Sequence, residues 1–243
     1  MSLKVLIGCP TSFHKEYCLN EFIQGLRDLT YNNHEILFVD NSENYDYRQK
    51  IESYNFKVLK GPWDESPIKR ISKSRNVLID YALKNNFDYL FLLDQDVIPP
   101  RDAIERFLSW NKKALCSIYF NTIINEYKQK VLIPGVFKVI ENSEDEEGLP
   151  SMRILSDDEI FSKSLLKVVS CGGGCLFLHK DIINKVRFRE NLERCEDRWF
   201  CIDLYKNKID LYCDSSIICK HFILNRSYKW KEGKLIKNDE YKS

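Results

Sequence analysis

Two aspartates one residue apart, Asp94-Gln95-Asp96, follow directly on the apolar run Tyr89 to Leu93. Carboxylates placed just beyond a buried strand can turn together toward one hard divalent cation and leave room in its shell for phosphate oxygens. Alone the pattern is a weak signal, because loops favour Asp. The strand before it and Val97-Ile98-Pro99 after it strengthen it. Two other apolar runs end in polar residues. Leu3 to Ile7 passes into Gly8-Cys9-Pro10-Thr11, and Glu35 to Val39 stops at Asp40. In an open parallel sheet, ligands bind outside the carboxyl ends of the strands, so three such ends can line one crevice. Arg75 carries a planar fork of donors suited to a diphosphate or a base edge, and reads equally well as a solvated helix charge. Asp40 can accept from a base edge or simply form an Asp-Asn turn. Gly172-Gly173-Gly174 lets a backbone approach a ligand without a Cβ clash, or marks a bulge. Glu196-Asp197 opens an amphipathic segment, where acids also complement a helix dipole. Cys171, Cys175 and His179 lack the paired spacing of a zinc site, and no second half is evident.

The elements that must position these residues alternate. Strands are expected at Leu3 to Ile7, Glu35 to Val39, Phe56 to Leu59 and Tyr89 to Leu93. Helices are expected near 14–30, from Tyr45 to Tyr54, and onward from Ser66-Pro67. The strands are continuous apolar runs rather than alternating ones. That predicts an α/β fold, a mainly parallel sheet flanked by helices. The second half is less regular. Pro99-Pro100 starts a helix to about Trp110, and Ala114 to Phe120 and Val131 to Ile140 read as strands. Glu141 to Gly148 reads as an acidic surface loop, and the glycines interrupt Val168 to Leu178. Glu196 to Tyr205 reads as a helix, and Ile209 to Tyr212 and Ile217 to Ile218 as separate short strands before His221.

Composition bounds the answer. The chain has 243 residues, with 44% hydrophobic, 30% charged and 13% aromatic side chains. This is a globular composition, and the length suits one large α/β domain. Lys and Arg number 37 against 36 Asp and Glu, so no overall field marks a nucleic-acid binder. Nine cysteines with no secretory leader read as free thiols in a reducing cytosol. No apolar run reaches the ~18 residues of a membrane span.

The segment KSRNVLIDYALKNNFDYLFLLDQDVIPP resembles the heart of an inverting, family 2-like glycosyltransferase of the GT-A fold that uses a nucleotide sugar. LIGCPTSFHKE is similar to that family's first loop, and FVDNSEN to its base-contacting segment. CGGGCLFLHKDIINKVRF is similar to its acceptor-side strand and helix, and CEDRWFCIDLYKNKIDLYCDSSIICKHF to its Glu-Asp helix and the histidine that follows. The likeness runs in order from about residue 3 to 222. Pro10-Thr11-Ser12-Phe13 departs from the usual first loop. The Gln-x-x-Arg-Trp of processive synthases is absent, which favours single transfers.

The resemblance implies one GT-A domain over 1–224, with a nucleotide-binding half (1–98), an acceptor and catalytic half (99–224), and a basic tail (225–243). It implies Asp94, Asp96 and His221 as holders of a divalent cation, Mn²⁺ or Mg²⁺. Pro10, Thr11, Asp40, Arg75, Asp94, Gln95 and Gly172 to Gly174 would line the donor, a UDP- or GDP-sugar. Asp197 would be the general base, and Glu196 would bind an acceptor hydroxyl. The acceptor would be a sugar, a lipid-linked group or a protein. Apart from the resemblance, the free cysteines point to the cytoplasm, and Trp230 among lysines reads as a solvated tail or as a peripheral contact at the inner membrane surface. The rival readings are a nucleotidyltransferase, which wants a more glycine-rich basic first loop, and a non-catalytic nucleotide-sugar or carbohydrate binder. No G-x-G-x-x-G or G-x-x-x-x-G-K-[ST] occurs, which argues against dehydrogenase and NTPase sites.

Overall fold

The computed structural model describes residues 2–124, 127–144, 149–222, 228–231 and 234–237. The expected alternation forms its first half. Strands β1 (Val5–Thr11), β2 (His34–Asp40), β3 (Lys57–Lys60) and β4 (Tyr89–Leu93) are linked by a 3₁₀ turn (Phe13–Cys18) with helix α1 (Leu19–Arg27), by α2 (Asp46–Glu52) and by α3 (Pro67–Lys84). All seven residues of β1 and all five of β4 are buried, as central strands covered on both faces must be. Pro67 stands at the start of α3, and the Ser66 side chain caps it by accepting from the Lys69 N–H.

The chain continues through β5 (Val97–Ile98), α4 (Ala103–Ser109), β6 (Ala114–Ile118), a hairpin of β7 (Phe120–Ile124) and β8 (Lys130–Pro134), β9 (Val136–Glu144), β10 (Pro150–Ile154) and α5 (Asp157–Ile160). There follow β11 (Leu165–Val168), β12 (Ser170–Cys171), β13 (Cys175–His179), α6 (Lys180–Ile183), α7 (Glu196–Lys206), β14 (Leu211–Ile218) and β15 (Lys220–His221). A last hairpin pairs β16 (Tyr228–Lys231) with β17 (Lys234–Lys237). The main sheet has eight strands in the order β11-β14-β6-β13-β4-β1-β2-β3. Only β13 and β11 run against the other six. Alternate residues of each strand feed the two cores. Leu6 packs with Leu78, Ile79 and Ala82 of α3 on one face, and Val5 and Ile7 pack with Phe22 and Ile23 of α1 on the other.

Several expectations shift. The segment near 14–30 begins as a 3₁₀ turn before it becomes α-helical, and the helix after Pro99-Pro100 starts only at Ala103. Val131 to Ile140 is two strands, broken at Gly135. Residues 141–144, expected in a loop, continue β9, while 145–148 lie outside the described residues. The two short strands near 209–218 are one strand, β14. Its polar centre hid it. Asp214 is buried but satisfied, accepting from Trp110 Nε1 (2.8 Å) and from Ser216 N (2.9 Å) and Oγ (2.7 Å). Among the described residues no helix is long and apolar enough to cross a membrane. All nine cysteines are free thiols. The side chains of the basic tail lie outside the described residues.

Candidate active site

Register brings the strand ends together. Thr11 of β1 pairs with Asp40 of β2, and Val5 to Gly8 pair with Tyr89 to Leu92 of β4. Carried past β4, the same offset sets Thr11 beside Gln95, and their side chains touch. On the other flank of β4, Cys175 of β13 pairs with Leu93, and the Asp94 N–H donates to the Gly174 carbonyl (3.0 Å). The Asp-x-Asp segment therefore lies between the Pro10-Thr11 loop and the three glycines.

Gln95, expected at the donor, is fully buried. Its Oε1 accepts from Thr11 and from Tyr47 (2.9 Å), and its Nε2 donates to the Lys15 carbonyl (2.5 Å). It fastens the first loop and α2 to the end of β4, and its amide has nothing left to offer a ligand. Thr11 is 3% exposed and spends its hydroxyl on Gln95, so it too acts from within.

Arg75 is in the core. It projects from α3 with 1% of its side chain exposed. Nη2 donates to both oxygens of Asp94 (3.0 and 3.1 Å), Nη1 lies 2.9 Å from Glu196 Oε1, and the guanidinium covers the Phe188 ring. Burial alone would lower its pKa, but Asp94 and Glu196 outweigh that and raise it above the ordinary value. Two expected roles meet a different set of contacts here. Asp94 turns its carboxylate to Arg75 rather than beside Asp96, because a buried guanidinium left without a counter-ion is strongly destabilising. Glu196, expected to meet an acceptor hydroxyl, is 7% exposed and committed to Arg75. Burial pushes the Glu196 pKa up; Arg75 opposes this, and Asp197 adds to it.

Gly173 lies directly on this cation. A Cβ there would stand 1.9 Å from Arg75 Nη1, and one at Gly172 would stand 2.1 Å from the Tyr119 hydroxyl. Buried Tyr119 accepts from the Gly174 N–H (3.0 Å), and burial raises its pKa well above the usual value. Asp197, in the first turn of α7, stands beside the same glycines. Its Oδ2 accepts from the Gly173 N–H (3.2 Å) and its Oδ1 from the Arg198 N–H (2.6 Å). Unlike Glu196, it is only partly buried and carries no salt bridge among the described residues.

Asp96 is paired differently. β15 lies antiparallel to β5, with His221 opposite Val97, and the Phe222 N–H donates to the Asp96 carbonyl (2.7 Å). His221 Nδ1 meets the Phe120 carbonyl at 2.9 Å, so the ring presents Nε2 to Asp96 Oδ2 at 3.4 Å. Lys15, from the 3₁₀ turn, sets its ammonium on the same oxygen. Burial would raise the Asp96 pKa, but His221 and Lys15 bring it down to about 2. Asp96 Oδ2 and His221 Nε2 thus converge as an oxygen and an imidazole donor, a set that suits Mn²⁺ better than Mg²⁺, which takes oxygen ligands, when phosphate and water oxygens complete the shell. Asp94 adds nothing in this arrangement. Among the described residues no three His, Cys, Asp or Glu side chains are grouped to hold a metal.

Asp40 is fully buried, with Oδ1 accepting from Ser42 N (3.0 Å) and Oγ (2.5 Å). Among the described residues its Oδ2 has no hydrogen-bond donor, and Lys60 Nζ stands 3.8 Å away. Lys15, Tyr119 and Lys60 were not singled out in the sequence. Lys15 sits in a polar run and Tyr119 at the end of an apolar one, and neither carries a spacing signal.

A sequence model described as Glycosyl transferase family 2 matches residues 11–186, more than half of the chain. The chain belongs to that family. The match begins in the first loop and takes in the Asp-x-Asp and glycine segments, and ends before Asp197 and His221. No curated protein is significantly similar in sequence. Among solved structures, this family 2 glycosyltransferase resembles S. aureus TarS 1–349 in complex with UDP-GlcNAc, at 17% identity and a TM-score of 0.57 over 89% of this chain and 58% of that one. It also resembles GalNAc-T7 with UDP, GalNAc and Mn²⁺, at 14% identity and a TM-score of 0.62 over 91% of this chain and 44% of that one. The chain therefore spans only about half the length of these two structures. Likeness at such identity establishes the GT-A fold.

Proposed function

We propose that this family 2 glycosyltransferase moves a sugar from a nucleoside-diphosphate sugar to an acceptor hydroxyl with inversion, residues 1–98 serving the nucleotide and 99–224 the acceptor. The observation that carries this reading is the Arg75 clamp. It ties Asp94, on the nucleotide side, to Glu196, next to Asp197 on α7, so the groups assigned to donor and acceptor stand side by side. UDP is the favoured nucleotide, since TarS and GalNAc-T7 were solved with UDP compounds. Asp40 Oδ2 offers a base N–H the acceptor it lacks, once Lys60 withdraws.

Asp96 and His221 would hold the cation, which supplies Lewis-acid stabilisation of the charge that grows on the departing diphosphate. Gly172 and Gly173 carry no Cβ, which lets the Tyr119 hydroxyl and the Arg75 guanidinium pack against the backbone beside Asp197. Asp197, held by the Gly173 N–H, takes the acceptor hydroxyl proton as that oxygen attacks the anomeric carbon opposite the leaving group. Glu196 and Asp94 keep Arg75 fixed and leave Asp197 as the free base.

The test is transfer and hydrolysis of labelled UDP- and GDP-sugars with and without Mn²⁺, in the wild type and in Asp197→Asn. Donor binding without turnover under any condition would replace the enzyme reading with that of a binder.

A further inference from the structure

The oxygen that would face a cation already has one. We propose that Lys15 is a built-in counter-ion that closes the Asp96–His221 pair when no metal is bound, and that a divalent cation binds by displacing it. The inference rests on the proposed use of that pair for a cation. The Lys15 ammonium and His221 Nε2 meet the same atom, Asp96 Oδ2. Any ion using that oxygen must take the place of the ammonium.

The backbone of Lys15 is held while its side chain is free to leave. Its carbonyl accepts from Gln95 Nε2 (2.5 Å) and from Cys18 Sγ (3.3 Å). Gln95 is in turn fixed by Thr11 and Tyr47. The residue between the two aspartates therefore also anchors the turn that carries the competing lysine. The Lys15 side chain is 36% exposed against 7% for Asp96, so its flexible stem can swing into solvent while the carboxylate stays in place. A dication on Asp96 would repel the ammonium outward. The lysine thus holds down the affinity of the site for metal alone.

Mn²⁺ binding is measured directly from the electron paramagnetic resonance of free Mn²⁺, in the wild type, Lys15→Met, Lys15→Arg and Asp96→Asn, with thermal unfolding to confirm that each is folded. Lys15→Met is expected to bind Mn²⁺ about tenfold more tightly than the wild type, about 1.4 kcal/mol. Lys15→Arg, which keeps the charge, should stay within about threefold of the wild type on the same scale. Asp96→Asn should lose the site. Unchanged or weaker binding by Lys15→Met, with Asp96→Asn still abolishing it, overturns the counter-ion and leaves the metal site standing. Binding that is indifferent to Asp96→Asn, or absent from both the wild type and Lys15→Met, overturns both.

Discussion

Replacing Arg75 with Met would keep much of the volume of the side chain and remove its charge. The wild-type guanidinium satisfies Asp94 through two hydrogen bonds and lies 2.9 Å from Glu196. Removing one partner of a buried ion pair costs about 3–5 kcal/mol. Asp94 is 21% exposed and water can reach it, which favours the lower end, whereas Glu196 at 10% has little such relief. A loss of about 3 kcal/mol at pH 7.5 is therefore expected. Glu196 sets the pH dependence. Its folded pKa already lies above the ordinary value, and without Arg75 it moves higher still. A carboxyl raised in the folded state binds more protons there than when unfolded. Stability then rises as the pH falls through the folded pKa, and is lost as the pH rises through it. Arg75→Met should therefore regain more stability than the wild type as the pH is lowered from 7.5 to 5.5. Urea unfolding at the two pH values, with Arg75→Met/Glu196→Gln as a companion that removes the titrating group, reads this out. A loss under about 1 kcal/mol at pH 7.5, or one that does not depend on pH, would refute the description of Arg75 as a buried clamp.

Three further outcomes follow from the same site. Gly173→Ala must push Arg75 aside from a Cβ built 1.9 Å from Nη1, and is expected to cost about 1–3 kcal/mol in urea unfolding and to depress transfer as Asp197 loses its alignment. Asp197→Asn should hold donor affinity, by calorimetry with the nucleotide sugar, while transfer falls by about 10²–10⁴. Asp40→Asn turns the unpaired acceptor into a donor, and should weaken UDP binding about tenfold in calorimetry while the unfolding midpoint shifts little.

Much of this was legible in the sequence because it is local. The buried runs of β1, β2 and β4 and the Ser66-Pro67 helix start are written in consecutive residues, and the strand ends follow from them. The partnerships were not. Arg75 is a cation on a helix, and nothing near it in the chain says that its counter-charges come from Asp94 and from Glu196 on a distant helix. Adjacency in Asp-x-Asp suggested that both carboxylates act together. The fold divides them, one toward Arg75 and the other toward Lys15 and His221. β14 was obscured because its buried polar centre is satisfied by Trp110, a residue far off in the chain.

The place of β13 governs how this molecule can be assembled. β1 to β4 are consecutive in the chain and neighbours in space, so they can pair as soon as they have been synthesised. β6 cannot simply join them, because the berth beside β4 belongs to a strand made much later, on the far side of the β7–β10 excursion. Until Cys175 to His179 arrive, the growing polypeptide carries the raw edge of β4, with Phe91 upon it. The nucleotide half thus emerges early and waits, and the strand that closes its open flank follows directly on the turn of glycines that roofs the buried arginine.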